Sequence, residues 1–203
     1  MITLRLVTIT LAAIVLLLTG CGDDDLKFRA NPEATVSEDD AEIAKAIANL
    51  ALGDKTDDPE SSVLYDKARD SLAMRGAKIE SHIIDTLRRN PDANVRIGCI
   101  EVLGSIASKA AIAPLIAVLD DEVPLVARQA DITLRVLTGT RMIPEAGAGP
   151  KDGLPPVPAG STTQDVRVAD TQAWATWHSQ HREALKAAWE RWWVDHKANF
   201  KMP

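Results

Sequence analysis

The spacing of apolar residues changes character several times along this chain. Leu6 to Leu18 (LVTITLAAIVLLL) is a run of 13 uncharged residues. It is shorter than the roughly 20 that a spanning helix needs and has the length of a signal-peptide core. Residues 22–37 carry charges and Pro32 without any apolar period, and read as a flexible tether. A tether of that length reaches about 50 Å at most when fully extended. From residue 38 a helical period sets in. Ile43, Ile47, Leu50 and Ala51 mark one face, with Ser37 and the acidic residues 38–40 as the start signal and Gly53-Asp54 as the stop.

Five more amphipathic stretches follow. Asp57-Asp58-Pro59 opens a helix expected to turn Val63, Leu64, Ala68, Leu72 and Met74 inward, and Gly76 closes it. Residues 78–89 carry Ile79, Ile83, Ile84 and Leu87, then Asn90-Pro91-Asp92 makes a turn. Residues 94–107 carry Val95, Ile97, Ile100, Leu103 and Ile106, and residues 109–119 carry Ile112, Leu115, Ile116 and Leu119. After Asp120-Asp121, residues 122–138 carry Val126, Ala130, Leu134 and Leu137, with Gly139 as the C-cap signal. Residues 140–169 then lose all period. Pro144, Pro150, Pro155, Pro156 and Pro158 among several glycines predict an irregular linker. Residues 170–203 return to a helical period.

Two of the helix pairs superpose at an offset of 32 residues. Ile84 falls on Ile116, Leu87 on Leu119, Arg96 on Arg128 and Ile100 on Ile132. The pair 41–52 with 60–75 fits more loosely. Paired helices at a fixed period predict an all-α fold, an α-α superhelix of about three helix pairs over residues 38–139. One hairpin cannot bury both of its apolar faces, so neighbours stack and share a core. The stretch IAPLIAVLDDEVPLVARQADITLRVLTG resembles the HEAT repeat, and its short period suits the HEAT-like kind found in phycobilin lyases. The resemblance rests on Pro114-Leu115-Ile116, Leu119, Asp120 or Asp121, Val126, Arg128, Ala130 and Leu134. It implies a structural ladder in which Arg96 pairs with Asp92 or Asp121, and Arg128 with Asp120 or Asp121.

All five tryptophans lie in the last segment. Trp174, Trp177, His181, Leu185, Trp189, Trp192 and His196 make one helical stripe, with Trp193 beside it. Leu137-Thr138-Gly139 followed later by Trp-x-x-Trp resembles the close of many bacterial HEAT-repeat proteins. Three roles fit the stripe: a cap over the last open face of the solenoid, an aromatic anchor for a partner protein, or contact with a membrane interface.

Composition narrows the reading. The net charge is −6 and no basic block occurs, which argues against nucleic acid as a partner. Leu18-Thr19-Gly20-Cys21 follows directly on the apolar run and resembles the lipobox of bacterial lipoproteins. That resemblance implies cleavage after residue 20, diacylglycerol on the Cys21 thiol, and a protein held at the cell envelope. Gly22, where an aspartate would favour inner-membrane retention, points to the outer membrane. With Cys21 acylated, Cys99 has no disulfide partner and sits among Ile97, Gly98 and Ile100 as a small buried hydrophobe.

The residues offer no convincing chemistry. His178 and His181 share a helix face, but His196 is more than four turns away, and two ligands make a poor metal site. No nucleophile–base set and no phosphate-binding glycine loop stands out. The expectation is a non-enzymatic lipoprotein without cofactor, binding an envelope protein or peptide through its repeats. Candidate contact residues are Arg69, Glu101, Asp131 and Arg135 on the second helices, with Trp174, Trp177, Trp189 and Trp192 on the tail. The alternative is a lyase or accessory enzyme acting on a bound prosthetic group, which needs a pocket with convergent polar groups.

Overall fold

Among the described residues, six helices in three pairs form the stack, and a seventh lies against its end. The computed structural model describes residues 38–53, 58–142 and 163–202, all within a unit running from Val36 to Pro203. The expected signal segment 1–20, the expected tether 21–37 and most of the expected linker lie outside the described residues. The helices are α1 (Glu38–Asn49), α2 (Pro59–Met74), α3 (Glu80–Arg89), α4 (Ala93–Ile106), α5 (Ile112–Ala117), α6 (Pro124–Thr138) and α7 (Thr163–His196). No strand occurs among the described residues. The protein is an all-α superhelical solenoid.

Local chemistry sets the ends of these helices. Asp58 is extended and its carboxylate accepts the Ser61 N–H, ahead of Pro59 in the first turn of α2. Asp92 caps α4 by accepting the N–H groups of Asn94 and Val95. Gly139 stops α6 in the left-handed region at φ 66°. α4 stops the same way on Ala107 at φ 52°, where a Cβ is strained.

Within each pair the two helices bury their apolar stripes against each other, and the second helices α2, α4 and α6 pack side by side. Tyr65, Leu72, Ile83, Leu87, Ile100, Leu103, Leu115, Leu119 and Leu134 form one continuous core. The expected inward face of α2 was rotated. Ala68 and Leu72 are buried as expected, but Val63 and Leu64 are exposed and Met74 is 88 % exposed. Tyr65 takes the place of Leu64 in the core. α2 is in the first pair, with no helix pair before it among the described residues, so its apolar residues exceed the surface available to cover them.

Successive layers are tied by side chains at the turns. Arg96 is buried, and its Nε and Nη2 donate to the two carboxylate oxygens of Asp121 at 2.9 Å each. Its Nη1 donates to the carbonyls of Asn90 and Pro91. One guanidinium thus closes its own turn and grips the next layer. Asp121 also accepts the Val123 N–H at 2.9 Å, which fixes the entry to α6. Arg96 therefore pairs with Asp121 rather than with Asp92, whose carboxylate caps α4. Asn94 adds a bond backward to the Ala51 carbonyl.

The expected linker 140–169 is shorter than its composition suggests, because α7 begins at Thr163. Val166, Val168 and Ala169 follow the last proline and carry no breaker among them.

Two variants test this account. Arg96→Ala leaves Asp121 largely buried and uncompensated, and is expected to destabilise the chain by about 3 kcal/mol in urea unfolding. A loss below about 1 kcal/mol would mean that the pair does not hold the layers. Ala107→Gly relieves the left-handed cap and is expected to stabilise by about 0.5–1 kcal/mol, seen as a higher urea midpoint at constant slope.

Candidate functional site

Two polar clusters interrupt the surface of the second helices. The first bridges α2 and α4. The Tyr65 hydroxyl donates to Glu101 Oε2 at 2.9 Å, and Arg69 Nη1 stands 3.6 Å from the same oxygen. Arg69 also pairs with Asp66 at 3.0 Å and Asp70 at 3.2 Å, and its guanidinium lies 6.0 Å from the Tyr65 ring centroid. Tyr65 is buried, whereas Arg69 and Glu101 are each only partly covered. A buried aromatic thus holds a charged pair at the surface. Two of the expected contact residues, Arg69 and Glu101, meet here. Tyr65 was not among the expected site residues, and only its place one turn before Arg69 on the same helix face could have pointed to it.

The second cluster is not a free surface. Asp131 is 7 % exposed, accepts the Trp189 indole N–H at 3.2 Å and pairs with Arg135 at 2.9 Å. The expected exposure of Asp131 is wrong because α7 covers that side of α6. Burial pushes its carboxyl above the usual carboxylate range, against the opposing pull of Arg135 and Trp189. Arg135 remains half-exposed at the edge of the contact.

α7 docks on α5, α6 and the turn before α6. Leu185 and Trp189 are wholly buried and Trp174 nearly so, while Trp177 and Trp192 are half-buried against the core. Trp174 and Trp189 are therefore consumed by the fold and cannot anchor a partner while α7 is docked. The cap is the role this geometry fits. Polar contacts fix its register. Lys186 pairs with Asp120 at 2.6 Å. Arg128 reaches Asp170 and donates to Thr171 at 3.3 Å. The expected pairing of Arg128 with Asp120 or Asp121 fails because Lys186 takes Asp120 and Arg96 saturates Asp121. Arg128 instead reaches one layer forward, as Arg96 does.

Each histidine on this helix stacks on a tryptophan one turn earlier, at 4.6 Å for Trp174–His178, 4.8 Å for Trp177–His181 and 4.6 Å for Trp192–His196. His181 and His196 direct Nδ1 at the carbonyls of Trp177 and Trp192. His178 is 2 % exposed and its Nε2–H donates to the Leu119 carbonyl at 2.7 Å. Burial lowers its basicity; the Leu119 bond and the carboxylates of Asp131 and Asp120 pull the other way, and Arg182 adds to the lowering. His178 and His181 are thus used in packing and backbone bonds. Among the described residues no group of three or more potential ligands is placed to hold a metal. Cys99 is fully buried, and burial pushes its thiol up to about 12.

A groove between the end of α3 and the turn before α6 is lined by Leu87, Arg88, Asn90, Val118 and Glu122 around Arg96 and Asp121. Buried Arg96 and partly buried Asp121 are spent on each other and on backbone groups of the turns.

Residues 80–146 match the family model for HEAT repeats.

The match covers α3 to α6 and stops before α7, and the HEAT-like repeats are the part of the chain where the arginine ladder runs. No curated protein and no solved structure matches the chain. No helix among the described residues is long and apolar enough to cross a membrane.

The docked tail gives a pH prediction. A histidine whose folded-state basicity is lowered contributes stability that is present above its unfolded pKa of about 6.5 and is lost as pH falls through that value toward the folded one. Urea unfolding of the wild type is expected to weaken between pH 7 and pH 5, by at most about 1.4 kcal/mol per pH unit from this one proton. In His178→Gln, whose amide can still donate to Leu119, that part of the slope is expected to vanish. Parallel profiles for the two proteins would refute the assignment.

Proposed function

We propose that this protein is a non-enzymatic scaffold, tethered to the bacterial cell envelope by lipid on Cys21, which binds a protein or peptide on the surface of its second helices. The observation that carries the reading is the Tyr65–Glu101–Arg69 cluster. It spans two helices of adjacent layers, and both charges reach solvent from one buried anchor. Such preorganised polar groups lose little side-chain entropy when a partner binds. The HEAT-like repeats support the same reading, since stacked helix pairs of this kind present long side-by-side surfaces.

The address rests on the sequence Leu18-Thr19-Gly20-Cys21 behind its apolar run. Two or three acyl chains on one residue meet the requirement for stable anchoring. Gly22 favours the outer membrane where the cell has one.

One experiment tests both halves. The full chain with a C-terminal tag is expressed in a bacterial host, fed a fatty-acid analogue, and captured from detergent-solubilised membranes. Wild type is expected to carry label and co-purify with a reproducible partner. Cys21→Ala is expected to lose the label and leave the membrane fraction; equal labelling of the two refutes the anchor. Arg69→Glu reverses a partly exposed charge, so folding should persist while partner recovery falls at least about tenfold. Unchanged recovery would refute the assigned surface.

A further inference from the structure

Among the described residues, α6 ends the stack with one side uncovered. Leu125, Ile132 and Val136 are 44 %, 37 % and 70 % exposed. Their spacing puts them on a single stripe of the helix. The 32-residue offset gives this stripe a meaning. It sets Leu125, Ile132 and Val136 on Ala93, Ile100 and Gly104 of α4. That side of α4 is where α6 packs. Ile100 is wholly buried there, and a Cβ built on Gly104 would stand 2.9 Å from Thr133 Cγ2 of α6. The matching side of α6 is therefore the place of a fourth second helix.

α7 does not occupy that place. It holds Arg128 through Asp170, as Asp121 holds Arg96, and it bonds the Leu119 carbonyl, Asp120 and Asp131. Asp131 lies about 120° round the helix from Leu125. α7 thus stands where the first helix of a further repeat would stand. The solenoid closes on half a layer.

We propose that the Leu125–Ile132–Val136 stripe receives an amphipathic helix of a partner protein, laid along α6 as α6 lies along α4. Two features define that helix. Val136 replaces the glycine that allows close approach at the previous step, so the incoming helix needs a small residue opposite it. Arg128 and Arg135 border the stripe on the α7 side, each paired with a carboxylate, Asp170 and Asp131, and exposed Arg141 follows them. Among the described residues of this edge Arg141 is the surplus charge, so the incoming helix is acidic along that flank. This deepens the scaffold reading and rests on it only in requiring a protein partner.

The test places the photoreactive residue p-benzoylphenylalanine at position 136 of the full-length chain in a bacterial envelope, with position 74 on α2, which is more exposed still, as the control. The expected result is a crosslink from 136, absent from 74, to a peptide of a second protein that is amphipathic at helical spacing and acidic along one edge. Ile132→Glu in the same chain should cut the yield at least about tenfold while far-UV circular dichroism still reports a folded helical chain. A crosslink to lipid, to a second copy, or to residues 143–162 of the same chain overturns the proposal, as does no crosslink above the control. If Arg69→Glu abolishes partner recovery while position 136 gives nothing, this proposal fails and the scaffold reading stands. If neither surface yields a partner, both fail.

Discussion

A guanidinium reaching from one layer to a carboxylate of the next is the contact on which this architecture turns. Arg96 occupies a turn whose carbonyls, Asn90 and Pro91, would otherwise lack donors, and it spends its remaining N–H groups on Asp121. Asp121 in turn accepts the Val123 N–H just ahead of α6. The angle between layers is thereby fixed by a planar fork rather than by apolar contact alone, which is tolerant of sliding. Repetition of that step explains the end of the molecule as well. Arg128 makes the same forward reach and finds Asp170, so the terminal helix is received by the same device that receives a repeat.

That equivalence clarifies why the terminal helix looks so unlike the rest. It lacks a partner of its own to form a pair, so it must supply burial by itself. Tryptophan does this with the largest apolar area per residue. The cost is that each indole brings an N–H and each neighbouring histidine a second polar ring. Part of this demand is met nearby, by Asp131 for Trp189, the Leu119 carbonyl for His178 and the tryptophan faces for the histidine rings, while the Trp177 indole N–H is buried without a hydrogen-bond partner. Asp131 and His178 are buried titratable groups as a result. Burial lowers the basicity of His178, so its protonation weakens the tail's hold in acid, whereas the raised Asp131 carboxyl takes up a proton more readily in the folded state and opposes that trend.

The periodic part of this arrangement was legible in the sequence, and the reasons are local. The buried faces of α3, α4 and α6 follow the 3.6-residue spacing of Ile83, Leu87, Leu103, Leu134 and their neighbours, because each of these faces is packed against a neighbouring helix and tolerates little else. α2 was misread in part because an end helix keeps apolar residues where no neighbour lies among the described residues, so Val63 and Met74 imitate a core face. The ladder was read to its residue type but not to its direction. Nothing in spacing distinguishes a carboxylate in the same turn from one 42 residues on, as in Arg128 and Asp170. For the same reason the burial of Asp131 was invisible: it depends on where a helix beyond a proline-rich segment returns.

An end that stops on half a layer also differs in kind from an end that stops on a whole one. A complete terminal pair turns a polar face outward on both of its helices, and the stack is finished. Here the first-helix place is filled by α7 with apolar and polar anchors, while the second-helix place is bordered by a satisfied ladder contact and left apolar. Three exposed aliphatic residues scattered over a surface would carry no meaning. Leu125, Ile132 and Val136 are not scattered: they sit in repeat register with residues that α6 itself covers one layer earlier. The geometry that terminates the fold within one chain is the geometry that would continue it with a helix from another.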